Sequence, residues 1–439
     1  MSDLAATPPL SLAEQLNLGC ACQFLDRTKL QQQLEAEPAL AGLATEIAGS
    51  RPHLFAATMV FITPAQRQQM QALIAAVEQA VALPAWQQAA LRQAPASAAI
   101  AHGASSVFFG YDFHLGPAGP QLIEINTNAG GAYLNLALAR AQTACCAGMQ
   151  PLYPPATALQ DMEQQWLAMF RQEWQAQGHG RPLTTLAIID ESPQQQYLYP
   201  EFLLFQRLFE RAGIRCLLAD PAQLIWRDGR LWLDGQAIDL VYNRLTDFYL
   251  TQPASQALLQ AYRANAVVLT PHPRAHALYA DKRHLAWLSD PQWLAALGLP
   301  SELRQRLLAG VPATRLVTPA NANELWAQRR QLFFKPASGF GSRAAYRGDK
   351  LTRRVWDEIV AGEYVAQRIA LPSERVVALE PGNRSELKLD VRAYVYRGRI
   401  QLFAARLYSG QTTNFRTAGG GFAPVFVVSD PAKPAGAHL

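Results

Sequence analysis

Apolar positions first recur with a helical period after Thr63, where Met70, Leu73, Ile74, Val77 and Val81 share one face. Thr63 stands where an N-cap belongs and Pro64 at the first helical position. Residues 1–104 are rich in Ala and Gln and are expected to form a helical N-terminal layer without chemistry of its own. The character then changes. Val107–His114 and Gln121–Asn126 read as two strands around Gly116-Pro117-Ala118-Gly119-Pro120, a β-hairpin within a segment spanning 105–150. A Pro-rich linker is expected at 151–155 and a helix around Trp166–Trp174. Strand and helix then alternate: Leu183–Asp190, the amphipathic Pro200–Ala212 closed by Gly213, Ile214–Ala219, a small hairpin across Asp228-Gly229, and Ile238–Tyr242. That order predicts a small doubly wound α/β domain over 155–275.

From 276 to 428 the pattern alternates again. A helix is expected over Ala277–Leu288 and another capped by Thr318-Pro319. The strand Gln331–Lys335 runs into a Gly/Ser loop, followed by a helix at Thr352–Ala361 and a strand at Glu363–Ile369. A long hairpin, Leu387–Tyr396 with Arg399–Tyr408, completes the segment, and 429–439 reads as a flexible tail. The fold class is thus mixed α/β, with α+β subdomains.

Composition narrows the function without naming it. The 439 residues are 50% hydrophobic and 17% charged, which excludes a disordered or collagen-like chain. No run approaches 18 apolar residues and the first residues lack a secretory pattern, so a cytoplasmic location is expected. A net charge of +5, spread without a basic tail or patch, argues against nucleic-acid and membrane partners. The cysteines at 20, 22, 145, 146 and 216 match neither a zinc nor a redox spacing and are expected to be reduced, incidental thiols. Only six of the 39 basic residues are lysines, and one of them, Lys335, precedes the Gly/Ser loop.

Three constellations could carry chemistry. Glu124 and Asn126 share a strand face, and a turn centred on Ala118 sets Asp112 opposite Glu124. Two opposed carboxylates destabilise a sheet unless a cation such as Mg2+ lies between them; an exposed polar face is the other reading. Gly130 and Gly131 would let a ligand approach the backbone. Second, Phe333-Phe334-Lys335-Pro336-Ala337-Ser338-Gly339-Phe340-Gly341-Ser342 joins a lysine to a loop that can turn N–H groups toward phosphate, or is an ordinary glycine-rich turn. Third, a three-residue loop ending at Gly398 pairs Lys388 with Arg406 and sets Lys388, Arg392 and Arg406 on one face, repelling unless an anion sits above. A two-residue loop would turn Arg406 away. Asn414, Arg416 and Gly419-Gly420-Gly421 follow.

Together these elements resemble the ATP-grasp superfamily. Their order, with Glu124-Ile125-Asn126-Thr127 about two hundred residues before Lys335, resembles the circularly permuted arrangement of eukaryotic-type glutathione synthetases and glutathionylspermidine-synthase-like proteins. The resemblance implies a circularly permuted ATP-grasp fold with the α/β domain inserted, and ATP and Mg2+ as cofactors. It implies that Lys282, in Ala280-Asp281-Lys282, and Lys335 bind phosphates under the loop Ser338, Gly339, Gly341 and Ser342. Main-chain groups of Gln367 to Ile369 would line adenine, with Glu374 as ribose partner in place of an acidic residue near 367. Asp112, Glu124 and Asn126 would hold Mg2+, and Arg392 and Arg406 would sit on phosphate or acyl phosphate. The implied activity is a carboxylate–amine ligase acting through an acyl phosphate on small-molecule substrates, with a homodimer compatible; a phosphotransferase and a nucleotide binder without turnover are the alternatives. Arg244, Asp247, Asn414 and Arg416 are the candidate substrate contacts.

Overall fold

In the computed structural model, residues 10–144, 157–339, 344–380 and 382–430 are described. Gly341, Ser342, Cys145, Cys146, the expected linker at 151–155 and the tail beyond Asp430 lie outside them.

The central element is a seven-stranded sheet. In order it runs Val60–Ile62, Gly421–Val427, Arg399–Tyr408, Asn383–Tyr396, Phe109–Gly116 and Gly119–Asn126, with Ser373–Glu380 also paired to 383–396. Both faces are covered. Met70, Leu73, Ile74 and Val77 of the helix Pro64–Val81 pack on Tyr111, Phe113, Val391, Ala393 and Val395. Tyr394 and Phe422 on the other face join Phe108, Trp166, Phe205 and Tyr242. A strand covered on both sides needs apolar residues at successive positions, which explains the run Ala393–Tyr396. Each large side chain so buried contributes roughly 1.5–3 kcal/mol.

The N-terminal layer is helical as expected, except at one place. Val60–Ile62 is an edge strand, parallel to residues 425–427. Three residues are too few to show a period, and pairing decides their conformation.

A second, parallel sheet has the order Val268–Thr270, Leu240–Asn243, Thr185–Ile189, Arg215–Ala219. From 185–189 the chain passes to 215–219 on one side and then to 240–243 on the other, so the winding reverses between those two inner strands. Asp228 and Gly229 form the left-handed tip of the small hairpin beside it (φ 52° and 70°). A third sheet, antiparallel, has the order Thr314–Leu316, Tyr364–Arg368, Leu332–Pro336, Tyr346–Arg347. Among the described residues no helix is long and apolar enough to cross a membrane.

Two expected helices differ. Ala277–Leu288 is broken into Pro273–Tyr279 and Arg283–Leu288, because the Lys282 amide leaves the helix to bond the Ala337 carbonyl at 3.0 Å. The helix after Thr318 begins at Ala322, since Thr318 N–H bonds the Asn321 side chain instead of leading a helix.

Candidate functional site

The hairpin 109–126 sets Asp112 opposite Glu124, by a different route from the one expected. The turn is two residues long, pairing Gly116 with Gly119, and a bulge at Ile123 then shifts the register by one. Ile123 is thereby left without a paired residue in the ladder, and Lys335 Nζ donates to its carbonyl at 2.9 Å. This contact joins the hairpin to the strand Leu332–Pro336 across 212 positions of sequence.

The second hairpin needs a correction of the same kind. Arg397 and Gly398 form a two-residue left-handed turn, and an extra residue, Gln401, follows. Arg406 therefore pairs with Asp390, not Lys388, and the bulge returns it to the face of Lys388 and Arg392. The anion over these cations is the protein's own. Asp112 accepts from Arg392 Nε and Nη2 at 2.6 and 2.7 Å and from Arg406 Nη2 at 2.9 Å. Asp390 accepts from Arg406 Nε at 2.7 Å and Thr413 Oγ1 at 2.5 Å. Lys388 turns aside to the Gly410 carbonyl, 2.7 Å away. Burial pushes the Asp112 carboxyl up, but Arg392 and Arg406 outweigh it and hold the group below the ordinary carboxylate value.

Glu124 faces Lys282, whose Nζ lies 3.2 Å from Oε1 and donates to the Gly339 carbonyl at 2.9 Å. Burial raises the Glu124 carboxyl, and Lys282 and Lys335 more than cancel this, so it stays ionised. Asn126 Nδ2 donates to Asp112 at 3.1 Å, which turns its Oδ1 away from that carboxylate. Burial lowers Lys335 to about 8.

Asp112, Glu124, Lys282, Lys335, Gly339, Gln367, Ile369 and Arg406 all line one cleft. Arg392 stands behind it, 8% exposed. Ser338 and Glu374 are exposed outside the lining, and Glu374 pairs with Lys388 across the sheet. The Ile369 amide is bonded to the Gln331 carbonyl at 2.9 Å, so this main-chain donor is in use. Asp390, not chosen among the candidate site residues, is a cleft residue as well; its place between Lys388 and Arg392 on the same strand face was its available signal.

The substrate candidates separate. Asp247 caps its own loop, accepting from Thr251 and Gln252, and Asn414 organises the loop from Ser409 to Thr417. Arg416 is exposed. Arg244 is 7% exposed, follows the strand Leu240–Asn243, and keeps a buried Nε without a partner among the described residues. On the adjacent strand Asp190 is 8% exposed, and burial raises it to about 7. Both stand at carboxyl ends of strands where the winding reverses, the crevice that open α/β sheets use for ligands. Sequence reading missed Asp190, although its position closing an apolar strand could have marked it. Gly130 and Gly131 make room for protein, not ligand: a Cβ at 131 would lie 2.3 Å from the Phe422 ring, and one at 130 would lie 2.5 Å from Leu198 and 2.7 Å from Arg244.

No protein family model and no curated protein matches the sequence. Among solved structures the chain is similar to a glutathione synthetase-like effector (GSS30) from Globodera pallida, with 12% identity, 92% of this chain and 98% of that one covered, and a TM-score of 0.54. A structure assigned as gamma-glutamylcysteine synthetase from Methylobacillus flagellatus gives 12% identity, coverage of 85% and 89%, and a TM-score of 0.43. The ATP-grasp ligase PsnB, complexed with a precursor variant, Mg and ADP, gives 15%, 56% and 89%, and 0.30. The chain shares its fold with the glutathione synthetase-like effector.

Proposed function

We propose that the protein is an ATP- and Mg2+-dependent carboxylate–amine ligase. The observation that carries this reading is the convergence of Lys282 and Lys335, from separate segments, on the side of the cleft that holds Glu124. The glutathione synthetase-like name of the neighbour from Globodera pallida agrees with it.

The residues fit the implied cofactors in part. An ammonium already neighbours the ionised Glu124, so the site favours positive charge there. Glu124 Oε and Asn126 Oδ1 would hold Mg2+, which accepts one or two carboxylates and completes its shell with water and phosphate oxygens. Asp112 does not fit that role, since two guanidiniums and an amide occupy its oxygens. When bound, Mg2+ would neutralise charge on the transferring phosphate.

Lys282 and Lys335 would carry the triphosphate. Arg406 uses Nε and Nη2 within the protein, and its Nη1, without a partner among the described residues, would meet a phosphate or acyl-phosphate oxygen. Phosphoryl transfer of this kind needs positioned charge and not a protein nucleophile. The substrate carboxylate oxygen would attack the γ-phosphorus, ADP would leave, and an amine would displace phosphate from the acyl group. Arg244, with its unused Nε–H, fits a carboxylate of the substrate, and Asp190 an ammonium.

The test incubates the full chain with ATP, Mg2+ and pooled amino acids, polyamines and small peptides, with hydroxylamine as trap. Hydroxamate with stoichiometric ADP is expected, and Glu124→Ala should lose it while remaining folded. Phosphorylated alcohol without hydroxamate would establish a phosphotransferase instead.

A further inference from the structure

Lys335 brings three N–H donors to the cleft. Two are committed, to the Ile123 carbonyl and to Gln367 Oε1, each at 2.9 Å. Among the described residues the third has no partner and is left for the cleft.

The orientation of Gln367 is fixed by its other neighbour. An amide alone can present oxygen or nitrogen in either direction. Thr314 Oγ1 donates its single proton to the Pro312 carbonyl at 2.7 Å, so toward Gln367 it can only accept. Gln367 Nε2 therefore donates to Thr314 at 3.3 Å, and its carbonyl oxygen is turned to Lys335. Strand register delivers both contacts, because Gln367 pairs with Thr314 on one side and Phe333 on the other. The side chain is 2% exposed.

We infer that Gln367 and Thr314 form a neutral relay that aims the Lys335 ammonium at the phosphate position while adding no counter-charge of its own. Gln367 is thus a positioning residue through its side chain, distinct from any main-chain contact with a base. A carboxylate at 367 would reach the same ammonium, form a charge-assisted pair and compete with phosphate for it. An apolar side chain would leave an ammonium N–H unpaired and its direction unset. The chemistry therefore calls for an uncharged acceptor, and the relay supplies one.

This inference rests on the reading that nucleotide phosphates meet Lys335, and the test separates the two. ATP and AMP binding to the full chain is measured by calorimetry in the presence of Mg2+. Lys335→Ala should abolish detectable ATP binding; if ATP affinity is retained, the phosphate reading fails and the relay with it. Given that loss, Gln367→Glu should weaken ATP about tenfold by pairing with the ammonium, with AMP affinity unchanged. Thr314→Val should weaken ATP in the same selective way, and Thr314→Ser should recover the affinity that Val loses. Equal weakening of ATP and AMP, or wild-type ATP affinity in Gln367→Glu and Thr314→Val, would overturn the relay and leave the phosphate site standing.

Discussion

Replacing Asp112 by Asn probes the charge cluster beneath the cleft. Asp112 and Asp390 are 1% and 0% exposed, and they balance Arg392 and Arg406 two against two. The amide keeps the shape but removes one charge, leaving two guanidiniums against a single carboxylate. Removing one partner of a buried ion pair costs about 3–5 kcal/mol; the lower end applies, because the amide oxygen still accepts one bond. The pH dependence has a definite sign. The folded Asp112 value is lowered, so its stabilisation is complete above the unfolded value of about 3.9 and is lost as pH falls through the lower folded value. The Asn variant should therefore be about 3 kcal/mol less stable at pH 7, with the deficit shrinking below about pH 4. Urea unfolding across that range measures both. Adding Arg392→Met should restore part of the loss, since it removes the stranded cation. Wild-type stability at pH 7, or a deficit that persists unchanged in acid, would refute the assignment of Asp112 as the counter-ion.

Two further outcomes follow from shifted groups. Asp190 is raised to about 7, mainly by burial, so the folded state holds a proton that the unfolded chain releases from about pH 3.9 upward, and stability falls as pH rises through that window. Asp190→Asn should flatten this slope and be the more stable form at pH 8, with about 4 kcal/mol as the ceiling for three units; thermal unfolding against pH checks it, and parallel curves would contradict it. Lys335, lowered by burial to about 8, is a cation only below that value. kcat/KM for ATP should decline as pH rises past about 8, and Lys335→Arg, whose guanidinium stays charged, should lose that alkaline limb; an unchanged limb would assign it to another group.

Much of the site was legible because strand alternation reports the face of a residue, and faces survived where registers did not. The pairing of Asp112 with Glu124 was expected from a turn centred on Ala118, whereas a tighter turn and a bulge at Ile123 together give the same partner. Arg406 was expected opposite Lys388 and lies opposite Asp390, yet Gln401 restores its face. The hidden features depend on contacts distant in sequence. Nothing local marks Val60–Ile62 as a strand, the break at Lys282, or the amide orientation of Gln367; each is set by a partner on another element. The irregularities hidden from the pattern also assemble the cleft. A regular hairpin would pair Ile123 within its ladder, and an unbroken helix would keep the Lys282 amide within itself. The bulge leaves Ile123 out of the pairing, its carbonyl accepting from Lys335, and the break ties Lys282 to Ala337, beside the loop where its Nζ meets Gly339. Local departures from periodicity thereby bring both lysines to the carboxylate hairpin.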